Sequence, residues 1–373
     1  MGDESIIQST EKQWLIEVLA NKQPKWPMSC DGDNAVHTAV QNGVGALVFQ
    51  TISEQKLDCP PEVKAELKKA YFTNLMRNAN IEQVWKELKV EMEQLQFSYI
   101  PLKGIYLSQY IYTDSTLRAM SDIDVLMKPQ EADELYLQLL GKGAVSAEPG
   151  YQPYSSTTDH HLPGLTYKGV YIELHRGLFP DDANYNLPVD LIWKQAIRHK
   201  HTLGIHPHLN LIYLCLHLYY TVKRGGLRIG WLYDFIIYSQ SDEFGQCEGD
   251  FMQQLHELNC TEPVLGLLYA TEDLFAYHFD FIEHGIKGKT IRSVKKRIIY
   301  FLNHQGEGGT DYSYEIALER LKNTKGLAAK LAFVKQRILK RDNNSQSTLK
   351  RLGTLSIRML GMLRQKMISF FRF

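Results

Sequence analysis

FSYIPLKGIYLSQYIYTDSTLRAMSDIDVLM, residues 97–127, is the stretch on which the fold turns. Upstream, apolar residues recur at helical spacing; here the period changes. Phe97, Tyr99 and Ile100 are strand formers, and Pro101 is unsuited to a helix interior. Gly104 lets the backbone turn tightly, and residues 105–112 read as a short helix whose N-terminus lies at Lys103-Gly104. A strand, a glycine and a helix N-terminus bring backbone N–H groups to a point where they can meet an anion, although a glycine beside a lysine is also an ordinary turn. The second apolar run, residues 121–127, has strand character. Its period puts Asp122 and Asp124 on one face and turns Ile123 and Val125 to the core. Two carboxylates side by side repel each other unless a cation bridges them. Mg²⁺ binds through one or two carboxylates and completes its shell with water and substrate phosphates. A solvated strand end would carry the same pair; together with Lys103-Gly104 it predicts a phosphate-and-metal site.

Upstream of this stretch the pattern is helical. Residues 9–22 begin with Ser9 or Thr10 as an N-cap, and 34–52 carry Val36, Val40, Val44, Leu47 and Val48 at intervals of three or four. Pro60-Pro61 opens a long amphipathic helix to Leu95, with Val63, Leu67, Tyr71, Leu75, Ile81, Trp85, Leu88 and Met92 on its apolar side. Downstream, 129–141 reads as a helix with Pro129 near its start, and 149–158 as a loop. Two strand-like runs follow, 160–167 and 169–176, joined by a hairpin-like turn at Lys168-Gly169. In the second, Val170, Ile172 and Leu174 alternate with Tyr171, Glu173 and His175. If the Glu173 face is also that of the aspartates, Glu173 is a third carboxylate, and such a set can hold two Mg²⁺ ions for in-line displacement at phosphorus.

These residues resemble the polymerase-beta-like nucleotidyltransferase superfamily, in particular a poorly characterised bacterial branch with Leu-Lys-Gly in place of Gly-Ser. The matches are Leu102-Lys103-Gly104, Arg118, Asp122-Ile123-Asp124 and Glu173-Leu174-His175, with His160 or His161 where the branch carries a histidine. The likeness extends loosely over residues 70–240. It implies that Asp122 and Asp124 bind metal and that Glu173 ligates the catalytic ion and serves as base. Lys103, Gly104, Arg118 and Ser121 would face the phosphates, and His160, His161, His175, His217 and Asp234 would be accessory. Mg²⁺ or Mn²⁺ would be the cofactor and a nucleoside triphosphate such as ATP the substrate. The Lys-Gly departure makes the backbone cradle smaller and shifts part of its work to a point charge.

Beyond residue 188 the pattern is helical again. Residues 207–222 enclose His217, and 227–240 enclose Asp234. These polar residues fit either buried structural roles or a His217–Asp234 pair bordering the site. Helices are expected over 250–280, 288–304 and 312–340, with a break at 305–310. Eight basic residues against one acid follow from Lys340 to Phe373, and 346–372 can form a basic amphipathic helix. Such a helix suits an anionic membrane surface, nucleic acid, a partner groove or its own acidic body.

The chain of 373 residues has a formal net charge of zero, which removes the main reason to expect a non-specific nucleic-acid binder. Five cysteines without CxxC spacing suggest neither a disulfide framework nor a zinc site. No spanning helix or signal segment is expected, so the cytoplasm is the expected compartment, with peripheral membrane contact through the tail.

The expected fold is α+β: a small mixed sheet of the nucleotidyltransferase type, an N-terminal helical segment and a larger C-terminal helical domain. The boundaries expected are 1–95, 96–187, 188–340 and a tail over 341–373. The leading function is transfer of a nucleoside monophosphate from an NTP to an acceptor, which the sequence leaves open among small molecule, sugar, peptide, protein and RNA. The alternatives are a phosphotransferase with the same metals and a non-catalytic regulatory or interaction relative.

Overall fold

The computed structural model describes residues 7–152, 160–180, 183–199 and 202–304. The expected helix over 312–340, the break at 305–310 and the basic tail lie outside the described residues, as does most of the loop over 149–158. The fold is α+β. Four helices come first: α1 (Thr10–Leu19), α2 (Gly32–Gln41), α3 (Gly45–Glu54) and α4 (Pro61–Gln94). Ser9 caps α1 by accepting from the Lys12 N–H, and proline opens α4 where its missing N–H costs nothing. The single helix expected over 34–52 is two. Gly43, at φ +71°, breaks it, and buried Asn42 beside it donates to the Thr38 carbonyl (2.9 Å) while accepting from the distant Ile229 N–H (3.2 Å).

α4 runs for 34 residues, about 51 Å at 1.5 Å per residue. Val63, Leu67, Ile81, Trp85, Leu88 and Met92 are buried as the periodicity predicts, but Leu75 is exposed, and Asn74 and Asn78 are buried instead. Their amides donate to the carbonyls of Thr116 (2.5 Å), Ser115 (2.6 Å) and Arg118 (2.9 Å), clamping onto α4 the segment that precedes the aspartates. Buried amides need such partners.

The sheet consists of β1 (Tyr99–Leu102), β2 (Asp122–Met127), β3 (Val145–Ser146), β4 (Leu165–Tyr167) and β5 (Val170–His175), in the order β1-β2-β5-β4-β3. β2 and β5 are parallel and the other neighbours antiparallel. From β1 the chain passes through α5 (Lys103–Tyr106), a π-helical turn over Leu107–Ile111 and a 3₁₀ turn over Ser115–Leu117. A parallel pair needs a crossover, which begins here with α6 (Pro129–Gly141). Lys168 and Gly169, at φ +49° and +79°, close β4 onto β5 in a two-residue hairpin. The strand expected over 160–167 is shorter, because Pro163-Gly164 interrupts it; His161 makes only an isolated bridge to His175.

Each sheet face is covered. Ile123, Val125 and Met127 of β2, with Ile172 and Leu174 of β5, belong to a core shared with Trp85 and Leu88 of α4 and Leu135 of α6. From the other face, Leu102 and Leu126 join a larger helical core. That core spans α7 (Val189–Lys194), α8 (Pro207–Lys223), α9 (Ile229–Ser239), α10 (Asp242–Gly245), α11 (Phe251–Glu257), α12 (Thr261–Phe275) and α13 (Lys289–His304). Trp14 and Val48 of the first helices share it with Val264 and Leu268 of α12. Between α7 and α8 lies a two-stranded ribbon, β6 (Ile197–His199) and β7 (Thr202–Gly204), which periodicity did not predict. No helix among the described residues is long and apolar enough to cross a membrane.

Candidate active site

Register assembles the carboxylates. In the parallel β2–β5 pair Asp122 lies opposite Tyr171, Asp124 opposite Glu173 and Leu126 opposite His175. Residues in register share a face, so Asp122, Asp124, Glu173 and His175 all leave the sheet on the side away from α4 and α6. Asp124 is the centre. Its Oδ1 accepts from Lys103 Nζ at 2.9 Å and faces His175 Nε2 at 2.8 Å, while that nitrogen is 3.5 Å from Glu173 Oε2.

Burial alone would push Asp124 up, yet Lys103 and the His175 hydrogen bond hold it well below the usual carboxylate range. The same contacts act in reverse on the partners. Lys103 is raised despite burial, chiefly by Asp124, and His175 is raised despite burial by its hydrogen bonds to Asp124 and Glu173. Asp122 is pushed up by burial and by the negative charge of Asp124.

The turn that delivers Lys103 differs from the expected one. The left-handed conformation belongs to Lys103 itself, at φ +45°, and Gly104 serves a different need. A Cβ on Gly104 would stand 2.9 Å from Nη1 of Arg118, so the missing side chain admits the guanidinium. Arg118 in turn holds Asp234 of α9 through Nε and Nη2, at 3.0 and 2.9 Å, and Tyr112 donates to the same carboxylate at 2.8 Å. Ser121 is exposed just ahead of β2.

Three histidines cluster at the end of β5. The His160 and His161 rings are 4.5 Å apart, and they lie 5.9 and 5.6 Å from His175. Burial, with His161 and His175 nearby, lowers His160 to about 3. From α8, Tyr213 and His217, one turn apart and therefore on one helix face, lie close enough to Lys103 and Asp124 to feel their charges. Burial and the charge of Lys103 keep His217 well below its ordinary value.

A family model described as "Uncharacterised nucleotidyltransferase" matches residues 29–276, a span that includes β1 to β5, α8 and α9. The chain belongs to that family. No curated protein and no solved structure matches it. Membership implies a nucleotide substrate.

The donor set fits a hard divalent cation of the kind the family resemblance implies. Ligand atoms of Asp124, Glu173 and His175 lie within 4.8 Å of one another, whereas Asp122, on the same face of β2, stands outside that group and near the Arg118 guanidinium. Both hydrogen bonds of Asp124 among the described residues go to Oδ1. His175 Nδ1 is buried without a partner, a costly state unless something occupies the space before it.

One expectation is corrected. Asp234 does not pair with His217; its partners are Arg118 and Tyr112, because α9 turns it toward the segment before β2. Tyr213 was missed. Its signal was its place four residues before His217, but a tyrosine in so apolar a helix reads as core.

Proposed function

We propose that this protein is a divalent-metal-dependent nucleotidyltransferase that moves a nucleoside monophosphate from an NTP to an acceptor and releases pyrophosphate. The observation that carries the reading is Asp124 and Glu173 side by side on parallel strands, with Lys103 on Asp124, in a chain of this family. Asp122, Asp124 and Glu173 would hold Mg²⁺ or Mn²⁺, which when bound supplies Lewis-acid polarisation of phosphoryl oxygens.

The protein's own groups do the rest. Lys103 presents its ammonium to the triphosphate from a side chain only 17% exposed, where a charge is weakly screened. Glu173, 25% exposed, is within reach of the acceptor hydroxyl and takes its proton. The hydroxyl oxygen bonds to the α-phosphorus as the bond from that phosphorus to the α–β bridging oxygen breaks, and pyrophosphate leaves with the electron pair. His175, fixed between Asp124 and Glu173, keeps both carboxylates oriented. Arg118 supports the Gly104 turn from behind.

The test is label transfer from α-³²P-labelled ATP, GTP, CTP and UTP with Mg²⁺ or Mn²⁺, using Glu173→Gln as the control. Label incorporation or pyrophosphate release lost in that variant supports the reading. No NTP-dependent shift in Tm and no turnover with any of the four sinks it. One observation favours a second reading, a non-catalytic relative: the Lys103 ammonium already neutralises Asp124, as a resident cation would. NTP binding that is unaffected by divalent ions, without turnover, would favour that alternative.

A further inference from the structure

A second group of metal-ligating side chains gathers at the start of α8. His206 precedes that helix, His208 lies in its first turn, and Cys247 follows α10. One ligand atom from each lies within 4.8 Å of the others, and Cys247 Sγ is 3.6 Å from His206 Nε2. A tetrahedral ion with metal–sulfur bonds of about 2.3 Å and metal–nitrogen bonds of about 2.1 Å sets those two atoms about 3.6 Å apart. An independent observation points the same way. His208 is only 5% exposed, and its Nδ1 is buried with no hydrogen-bond partner. Gly249, at φ +113°, lies beside that nitrogen, where a Cβ built on it would meet Nδ1 at 4.0 Å, an ordinary contact.

Two imidazoles and a thiol form a softer donor set than the carboxylates of the sheet, and they select zinc over magnesium. We propose that His206, His208 and Cys247 bind one Zn²⁺ ion, with water as the fourth ligand. On binding, the Cys247 thiol gives its proton to solvent and the thiolate sulfur bonds the metal; both imidazoles bind neutral and no oxidation state changes. The ion ties the loop between α10 and α11 to the start of α8, the helix that carries Tyr213 and His217 farther along. Local spacing does not reveal this group, because the ligands are a His-Pro-His triplet and a cysteine about forty residues later.

The full-length protein, purified without chelator, is analysed for zinc by mass spectrometry and, after stripping, titrated with Co²⁺ alone. The expected result is one equivalent of zinc and a near-ultraviolet thiolate-to-Co²⁺ band. Cys247→Ala and His208→Gln should abolish the band and weaken Zn²⁺ at least tenfold. His284→Ala, in the sulfur-free group of Glu272, His278 and His284, should leave both unchanged. A further measurement needs no variant: Zn²⁺ should slow alkylation of Cys247 in the wild type at least tenfold, followed by peptide mass. No band, a band that survives Cys247→Ala, or an unchanged alkylation rate overturns the proposal.

Discussion

Arg118 and Asp234, 116 positions apart in the chain, meet through two guanidinium nitrogens at 3.0 and 2.9 Å, with side chains only 11% and 6% exposed. The contact fastens the segment before β2 to α9. Removing one partner of a buried pair strands the other charge and typically costs about 3–5 kcal/mol. Asp234→Ala should therefore lower unfolding stability by about that much in urea titrations. A loss below about 1 kcal/mol would mean that the pair is not the brace described.

Gly104→Ala tests the same brace from the other side. The new methyl would press on Arg118 Nη1, the movable end of a side chain, so the cost should fall at the low end of the range for overpacking, about 1–3 kcal/mol. Combined with Asp234→Ala the penalty should be less than additive, as a double-mutant cycle would reveal.

Tyr213→Phe removes a buried hydroxyl beside the Lys103 ammonium, a change that should cost no more than about 1.5 kcal/mol of stability. If the hydroxyl meets substrate, NTP-dependent thermal shift or turnover should drop at least tenfold in the same variant. Loss of Tm with unchanged turnover would assign it to the core.

The histidines predict a pH dependence with a definite sign. The unfolded chain takes up a proton at His160 near the ordinary 6.5, the folded protein only at about 3. Stability is full above pH 6.5 and is lost as pH falls toward 3, and His217 acts in the same direction. His175 opposes them, because its raised value gives stability present below 6.5 and lost as pH rises through the folded value. Melting temperatures of wild type and His160→Gln between pH 7.5 and 5 should show a flatter slope in the variant.

What could be read in the sequence was whatever depends on period and local chemistry. Alternation in 121–127 gave the shared face of Asp122 and Asp124, and in 169–176 that of Glu173 and His175, while the β2–β5 register joins the two; Pro129 and Gly141 bounded α6, and Lys168-Gly169 gave the hairpin. What escaped depends on partners far along the chain. Asn74 and Asn78 look like surface residues until the carbonyls of residues 115–118 arrive, and Asn42 ends α2 by holding Ile229. The ribbon of β6 and β7 lacks a recognisable alternation, and no local pattern marks Arg118, 116 positions away, as the partner of Asp234.

Lys103 carries one last implication. Every other described non-glycine residue with positive φ is exposed, whereas Lys103 adopts that conformation, at +45°, inside the protein. Glycine would relax that backbone and remove an energetic burden of order 1–3 kcal/mol. The position is thus one where an easier-folding chain and a chemically equipped one call for different residues, and this protein keeps the amine.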